Sequence, residues 1–209
     1  DKSTDRASLQ RAVEMYTRAI AIRPIVASLS GRANAYLKLA ALDHARAKPG
    51  VAAFRGAQRR LQTLWDPFHG EPVDGRSPEV AVVDDYAHHP TEIRASIAAL
   101  RERYPGRRLV VVYQPHLYSR TANLIPDFAE ALSAADEVVL TDIYPAREEP
   151  MAGVSSARIA ELTTVPCVYV PSRRLLPRKV RALLRDGDVV VGMGAGNIDA
   201  FAPDLLKEL

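Results

Sequence analysis

From residue 79 onward, short wholly apolar runs alternate with stretches of helical period. Val-Ala-Val-Val at 80–83 is followed by a polar loop, 84–89. A helix is then predicted over 90–100, with Pro90 in its first turn and Ile93, Ile97 and Leu100 at helical spacing. Tyr-Pro-Gly at 104–106 breaks it, 109–113 reads as a buried strand, and 128–132 belongs to the next helix. The unit then recurs. A strand at 138–140 leads to a helix around 157–162 that Ser155 or Ser156 can cap. A strand at 167–170 precedes a helix over 175–184 with Pro177 in its first turn. Gly187-Asp188 turns the chain into a strand at 189–191, and a Gly-rich stretch, 192–197, opens a last helix ending at Leu209. Strands buried on both faces and alternating with helices predict an α/β domain, a doubly wound and mostly parallel sheet. In such a sheet, ligands bind beyond the carboxyl ends of the strands, which here are the loops 84–89, 114–121, 142–153 and 192–197.

The first part of the chain follows another pattern. Helical spacing predicts helices over 8–20, 33–47 and 51–64, and residues 66–78 are a Pro/Gly-rich connector. The predicted organisation is therefore a helical segment, 1–78, preceding an α/β domain, 79–209. Composition agrees with a soluble globular protein, 47% hydrophobic and 25% charged. No apolar run approaches the ~18 residues of a membrane span, and the start lacks the order of a signal peptide, so a cytoplasmic location without membrane contact is expected. Residues 1–79 carry 13 Lys+Arg against 8 Asp+Glu, residues 80–209 carry 15 against 17, and the basic residues are scattered. Nucleic acid is not an expected partner. The single Cys167 can form neither an internal disulfide nor a metal cluster and reads as a buried thiol.

Chemistry concentrates in the four loops. Asp-Asp-Tyr-Ala-His-His-Pro at 84–90 could be a metal site, but adjacent imidazoles point differently and no third ligand lies at zinc-like spacing. A substrate loop fits better, with Asp for ribose hydroxyls and His or Tyr for a carboxylate or phosphate. For Asp84 and His89 the plain alternative is that they cap the following helix. In Gln-Pro-His-Leu-Tyr-Ser-Arg-Thr at 114–121, Arg120 can fork onto a carboxylate or phosphate and His116 can assist, while Tyr118 and Ser119 order the turn. Arg147 is expected to pair with Glu148 or Glu149 at the surface. The glycines of 192–197 either let backbone amides hold an anion or allow close helix–strand packing. No phosphate loop of the GxxxxGK[ST] type occurs in the chain.

Taken in order, Phe-Arg-Gly-Ala-Gln-Arg-Arg at 54–60, Val-Asp-Asp-Tyr-Ala-His-His-Pro-Thr-Glu-Ile at 83–93, the 114–121 stretch, Asp-Ile-Tyr-Pro-Ala-Arg-Glu from 142 and Gly-Ala-Gly-Asn-Ile at 194–198 resemble the Mur ligase family, in its L-alanine-adding branch. The resemblance runs from about Val51 to the C-terminus and more loosely from Gly31. It implies a Rossmann-like C-terminal domain and the end of a central domain. The activity implied is ATP-dependent amide formation, in which the carboxylate of UDP-N-acetylmuramate becomes an acyl phosphate that the amine of L-alanine attacks, with Mg2+ held mainly by the central domain. Carried over residue by residue, Tyr86, His88, His116 and Arg120 belong to the substrate side of the cleft. Asp85 reaches the ATP ribose, Arg60 approaches the phosphates, and Asn34 alone remains of three polar contacts to the base. No residue of this chain is assigned as catalytic or as a metal ligand. The family's UDP-sugar domain and phosphate-loop region have no counterpart in the chain, so two readings stand. One is the C-terminal part of a ligase, inactive as this isolated chain and completed by its N-terminal and central domains in cis or in trans; a chain beginning with Asp favours it. The other is a stand-alone, non-catalytic nucleotide or amino-acid binding module.

Overall fold

Valine-rich runs build the centre of the computed structural model, which describes residues 59–69 and 79–209. The described residues all belong to the unit Arg59–Leu209. Strands β1 (Gln62–Trp65), β2 (Ala81–Asp85), β3 (Leu109–Tyr113), β4 (Glu137–Leu140), β5 (Cys167–Tyr169) and β6 (Val189–Met193) form one sheet in the order β1-β2-β6-β3-β4-β5. From β2 to β5 every pairing is parallel; only β1 runs antiparallel, on β2. The helices are α1 (Pro90–Arg103), α2 (Tyr118–Leu132), α3 (Ser156–Leu162), α4 (Leu176–Arg181) and α5 (Phe201–Glu208).

Successive strand residues face opposite sides of the sheet, and both sides are covered. Ala81, Val83, Val111, Tyr113 and Val191 pack with Ile93 and Ile97 of α1, Phe128 of α2 and Ile159 of α3. Val82, Val110, Val112 and Val190 pack with Val180 of α4 and with Phe201 and Leu205 of α5. The predicted doubly wound α/β sheet is therefore what the chain forms. Gly192 lies on the α5 side, where a Cβ would come within 2.9 Å of the Phe201 ring, so this glycine lets α5 sit directly on β6.

Three local readings change. Residues 62–64, expected to finish a helix, are strand: Thr and Trp suit an edge strand that pairs on one side only. Residues 59–61, also expected in that helix, form a turn with positive φ at Arg59 and Leu61; its residues 51–58, the helices over 8–20 and 33–47, and connector residues 70–78 lie outside the described residues. Tyr118–Thr121, expected in a loop, open α2. The helix kinks at Leu124, where Pro126 removes a backbone donor, so its first turns form a separate segment. The helix expected over 175–184 is shorter, a 3-10 turn (Arg173–Leu175) followed by Leu176–Arg181.

Strand β1 matters because it crosses the sheet from the carboxyl edge to the amino edge, pinned at both ends. At the carboxyl edge, Arg59 donates from Nε to Asp84 Oδ2 at 2.9 Å and from Nη2 to the Gly194 carbonyl at 2.8 Å. Its own carbonyl accepts from Tyr86 N at 2.6 Å. At the amino edge, Asp66 accepts from Tyr104 Oη at 2.8 Å, Arg103 Nη2 at 3.2 Å and the backbone of Phe68 at 3.0 Å. The Arg107 guanidinium lies 3.3 Å over the Phe68 ring. Burial pushes the Asp66 carboxyl upward, but hydrogen bonds from Tyr104, Phe68 and His69 outweigh it and hold the carboxyl below its ordinary value; burial and the same bond push the Tyr104 phenol up to about 12.

Two outcomes follow from these anchors. A carboxylate whose folded pKa is depressed contributes stability above its unfolded pKa and loses it as pH falls through the folded value. Asp66→Asn should therefore cost about 1–2 kcal/mol in urea unfolding at neutral pH, and the gap to the parent chain should close as pH drops below the ordinary 3.8. A gap independent of pH would contradict the assignment. Arg59→Ala leaves Asp84 buried without its cation and should cost about 3 kcal/mol. Adding Asp84→Asn should recover part of that loss, and a double-mutant cycle with no coupling would refute the pairing.

Candidate functional site at the carboxyl edge

Strand order places a topological switch at β6. The loops after β2 and β3 lead into α1 and α2 on one face, whereas the loop after β6 leads to Ile198 and Phe201 on the other. Crevices of this kind are where open α/β sheets bind ligands. Alternation along β2 sends Asp84 to the α5 side and Asp85 to the α1 side, where Ser96 of α1 donates to it. Both carboxylates are buried. Burial pushes both upward in pKa, against the hydrogen bond and charge of Arg59 at Asp84, and against hydrogen bonds from Ser96 and the Leu61 backbone, with the charge of Arg60, at Asp85.

On the α1 side an aromatic and imidazole row runs across the loop ends. The Tyr86 and His88 rings lie 5.2 Å apart edge to face, His88 and His116 lie 6.3 Å apart, and His116 stacks on Tyr144 at 5.7 Å. Arg120, one helical turn after His116, places Nη1 3.4 Å from His116 Nδ1. Burial, then the charges of Arg120 and His88, push the His116 imidazole downward, toward its neutral form. Beneath the row, the Tyr113 hydroxyl is buried and has no hydrogen-bond partner among the described residues. Tyr86 is the exposed member, with the Arg59 and Arg60 guanidinium carbons 5.2 and 5.4 Å from its ring centre.

Next to the row is a cavity of about 220 Å³ lined by Arg60, Leu61, Asp85, Ala95 and Ser96. It is smaller than the ~300–1,000 Å³ of sites for whole drug-sized molecules, and suits a sugar or phosphate portion. Its polar lining is the Asp85 carboxylate, the Ser96 hydroxyl and the Arg60 guanidinium, a combination that fits hydroxyl donors on one side and an anion on the other. The acidic groups do not fit a divalent cation. Asp84 is committed to Arg59 and Asp85 to Ser96, and among the described residues no three His, Cys, Asp or Glu gather as a metal site.

Of the residues singled out in the sequence, the structure thus gathers Tyr86, His88, His116 and Arg120 in one row and Arg60 and Asp85 beside it. Asn34 lies outside the described residues. His89 takes the plain role: it caps α1, accepting from Thr91 N at 3.3 Å. Asp84 does not cap; it pairs with Arg59. Glu148 bonds Ser119, accepting from its N at 2.9 Å and its Oγ at 2.5 Å. The 192–197 glycines answer to close approach: a Cβ on Gly194 would lie 2.7 Å from the Gln114 carbonyl, and one on Gly196 2.6 Å from Tyr144. Cys167 is half-buried, its thiol pushed upward by burial.

Three residues escaped the sequence reading. Arg59 reaches its partners only across long sequence separation. Tyr144 enters by stacking. Glu92 accepts from His88 N at 3.0 Å, sits 3.3 Å from His88 Nδ1 and lies 3.6 Å from Arg60 Nη1. Burial pushes Glu92 upward, but the His88 hydrogen bond and the charges of His88 and Arg60 hold it below its ordinary value. Its position three residues after the helix cap was a readable signal, the spacing of a capping box.

Comparisons with known proteins bear on the family and the fold. Residues 71–196 match the family described as Mur ligase, glutamate ligase domain. The UDP-N-acetylmuramate--L-alanine ligase of Mycolicibacterium smegmatis is 42% identical over 197 residues, covering 90% of this chain and 39% of that protein. The enzyme of the same name from Mycobacterium tuberculosis is 47% identical over 163 residues, covering 77% of this chain and 32% of the relative. The chain therefore spans between about a third and two-fifths of these relatives. Among solved structures, the UDP-N-acetylmuramate-alanine ligase of Thermotoga maritima superposes with TM-score 0.63 at 24% identity, over 86% of this chain and 37% of that one. A murein peptide ligase from Psychrobacter arcticus gives TM-score 0.56 at 20% identity, over 85% of this chain and 36% of that one. These two likenesses carry the fold, and the family match carries the membership: the chain belongs to the Mur ligase family.

Proposed function

We propose that this chain is the C-terminal part of an ATP-dependent ligase that joins L-alanine to UDP-N-acetylmuramate in peptidoglycan synthesis. Its C-terminal domain then takes in β1 ahead of the expected start at 79 and covers 59–209, and the preceding residues include the end of its central domain. The observation that supports this most is the row Tyr86–His88–His116–Arg120 standing beside the Arg60–Asp85 cavity, in a chain 47% identical over 163 residues to a protein named for that reaction. In this reading the edge holds two of the reactants side by side.

At the row, the Arg120 guanidinium pairs with the carboxylate of L-alanine, with His116 assisting, while Tyr86 and His88 orient the amine. At the cavity, the Asp85 carboxylate accepts from ribose hydroxyls of ATP, and the Arg60 guanidinium, which lines the same cavity, pairs with phosphate oxygens. The amine attacks an acyl phosphate of the muramyl carboxylate, forming the amide C–N bond as the C–O bond to phosphate breaks and inorganic phosphate leaves. Mg2+, held by the central domain, supplies charge neutralisation for the phosphoryl transfer. This chain's own contribution is orientation and fixed positive charge. The setting is the cytoplasm, where ATP and the UDP-sugar are available.

Calorimetric titration of the purified chain with L-alanine and with a non-hydrolysable ATP analogue tests the site. Arg120→Ala should weaken L-alanine binding, and Asp85→Ala nucleotide binding, each about 10- to 100-fold, the value of a lost charge-assisted hydrogen bond. Unchanged binding in both variants would refute the assignment. The isolated chain should show no L-alanine-dependent ADP formation with UDP-N-acetylmuramate; a measurable rate would overturn the proposal that the remaining domains are required.

A further inference from the structure

The imidazoles of the row face partners of opposite kind. His88 Nδ1 lies 2.9 Å from the Tyr86 carbonyl oxygen and 3.3 Å from Glu92 Oε2, and both of these oxygens only accept. His116 Nδ1 lies 3.4 Å from Arg120 Nη1, which only donates. A ring nitrogen between acceptors must carry the hydrogen, and one facing a guanidinium must offer its lone pair. We propose that the two rings are held in complementary neutral tautomers, His88 as Nδ1–H and His116 as Nε2–H, so that the row presents a ligand with one imidazole acceptor and one imidazole donor.

The atoms left for the ligand are the two Nε2 nitrogens, neither of which has a hydrogen-bond partner among the described residues. His88 then accepts at Nε2 and His116 donates at Nε2, with Arg120 beside it adding cationic donors. That polarity matches an α-amino acid in its zwitterionic form, the ammonium directed to His88 and the carboxylate to His116 and Arg120. A ligand carrying an anion at both ends, or a cation at both, meets one ring in the wrong tautomer. Glu92 is thereby a positioning residue: it acts through His88, and its other oxygen faces Arg60 at 3.6 Å, so one carboxylate sets groups on both sides of the site. The neutral form of His116 accords with its downward-pushed pKa, caused first by burial and then by the neighbouring charge of Arg120.

The match to an amino acid rests on the proposed function, whereas the tautomers do not, which keeps the two separable. Long-range 1H–15N correlation of the imidazole nitrogens, recorded on the whole 209-residue chain without ligand and above the imidazole titration range, reads each tautomer directly. The expected spectrum has the protonated nitrogen at Nδ1 in His88 and at Nε2 in His116. The same tautomer on both rings, or an exchange-averaged mixture on His88, overturns the proposal. Free imidazoles favour Nε2–H, so the Nδ1–H fraction of His88 should fall in the order Glu92, Glu92→Gln, Glu92→Ala. A fraction unchanged across the series removes Glu92 from the account. Failure of L-alanine to bind would leave these spectra intact and would count only against the functional reading.

Discussion

One guanidinium ties the functional edge together. Arg59 reaches from the start of β1 to the Asp84 carboxylate at the end of β2 and to the Gly194 carbonyl just after β6, joining three segments that meet at the switch point. Its backbone adopts φ 55, outside the usual range for a side-chain-bearing residue, and its carbonyl accepts from Tyr86 N. Arg60 follows directly and faces the cavity, while Tyr86 follows Asp85. The placement of the cation, the buried carboxylate and the exposed aromatic therefore depends on where Arg59 is anchored. Without that cation, Asp84 would be a charge in an apolar setting among its acidic neighbours Asp85 and Asp199.

The two edges of the sheet are built differently, and the difference separates structure from function. At the amino edge ionic groups find partners within the fold. Arg108 bridges Asp188 at 2.7 Å and also binds Glu137, Arg101 bonds Asp136 at 2.7 Å, and Asp66 gathers Tyr104, Arg103 and two backbone amides. At the carboxyl edge several groups are left over: Arg60 Nε, Asp84 Oδ1, Gln114 Oε1 and the Tyr113 hydroxyl are buried without hydrogen-bond partners among the described residues. A buried polar atom without a partner costs about 1–3 kcal/mol. Thr63 Oγ1 and Ser156 Oγ are buried in the same way, so among the described residues most of this cost, though not all of it, falls on the carboxyl edge, as expected where groups are kept ready for a ligand.

The sheet was readable because its strands are apolar on both faces and separated by helical periods, so β2 to β6 fall where the runs of valine fall. Strand β1 was not. Gln62–Trp65 has mixed polarity, and its pairing is settled by β2 and by the anchors at Arg59 and Asp66, which are distant in sequence. The start of α2 was hidden for a related reason: Leu117 occupies the cap position with φ 71 and makes no capping bond, so no residue type announces it. At the site, residue types were readable but relations were not. Arg120 and His116 could be named from the loop, yet their spacing becomes a contact only because Tyr118–Thr121 are helical. Arg59, Tyr144 and the full reach of Glu92 emerge only from long-range geometry.

In the proposed function the row at the carboxyl edge receives the amino acid and the neighbouring Arg60–Asp85 cavity the nucleotide. Backbone 1H–15N shift mapping of the 209-residue chain during titration with L-alanine, then with a non-hydrolysable ATP analogue, tests it most directly. L-alanine should perturb the loops 84–89 and 114–121, and the nucleotide residues around Arg60, Asp85 and Ser96. Perturbations centred instead on the amino edge, around Asp66, Asp136 and Asp188, would contradict it.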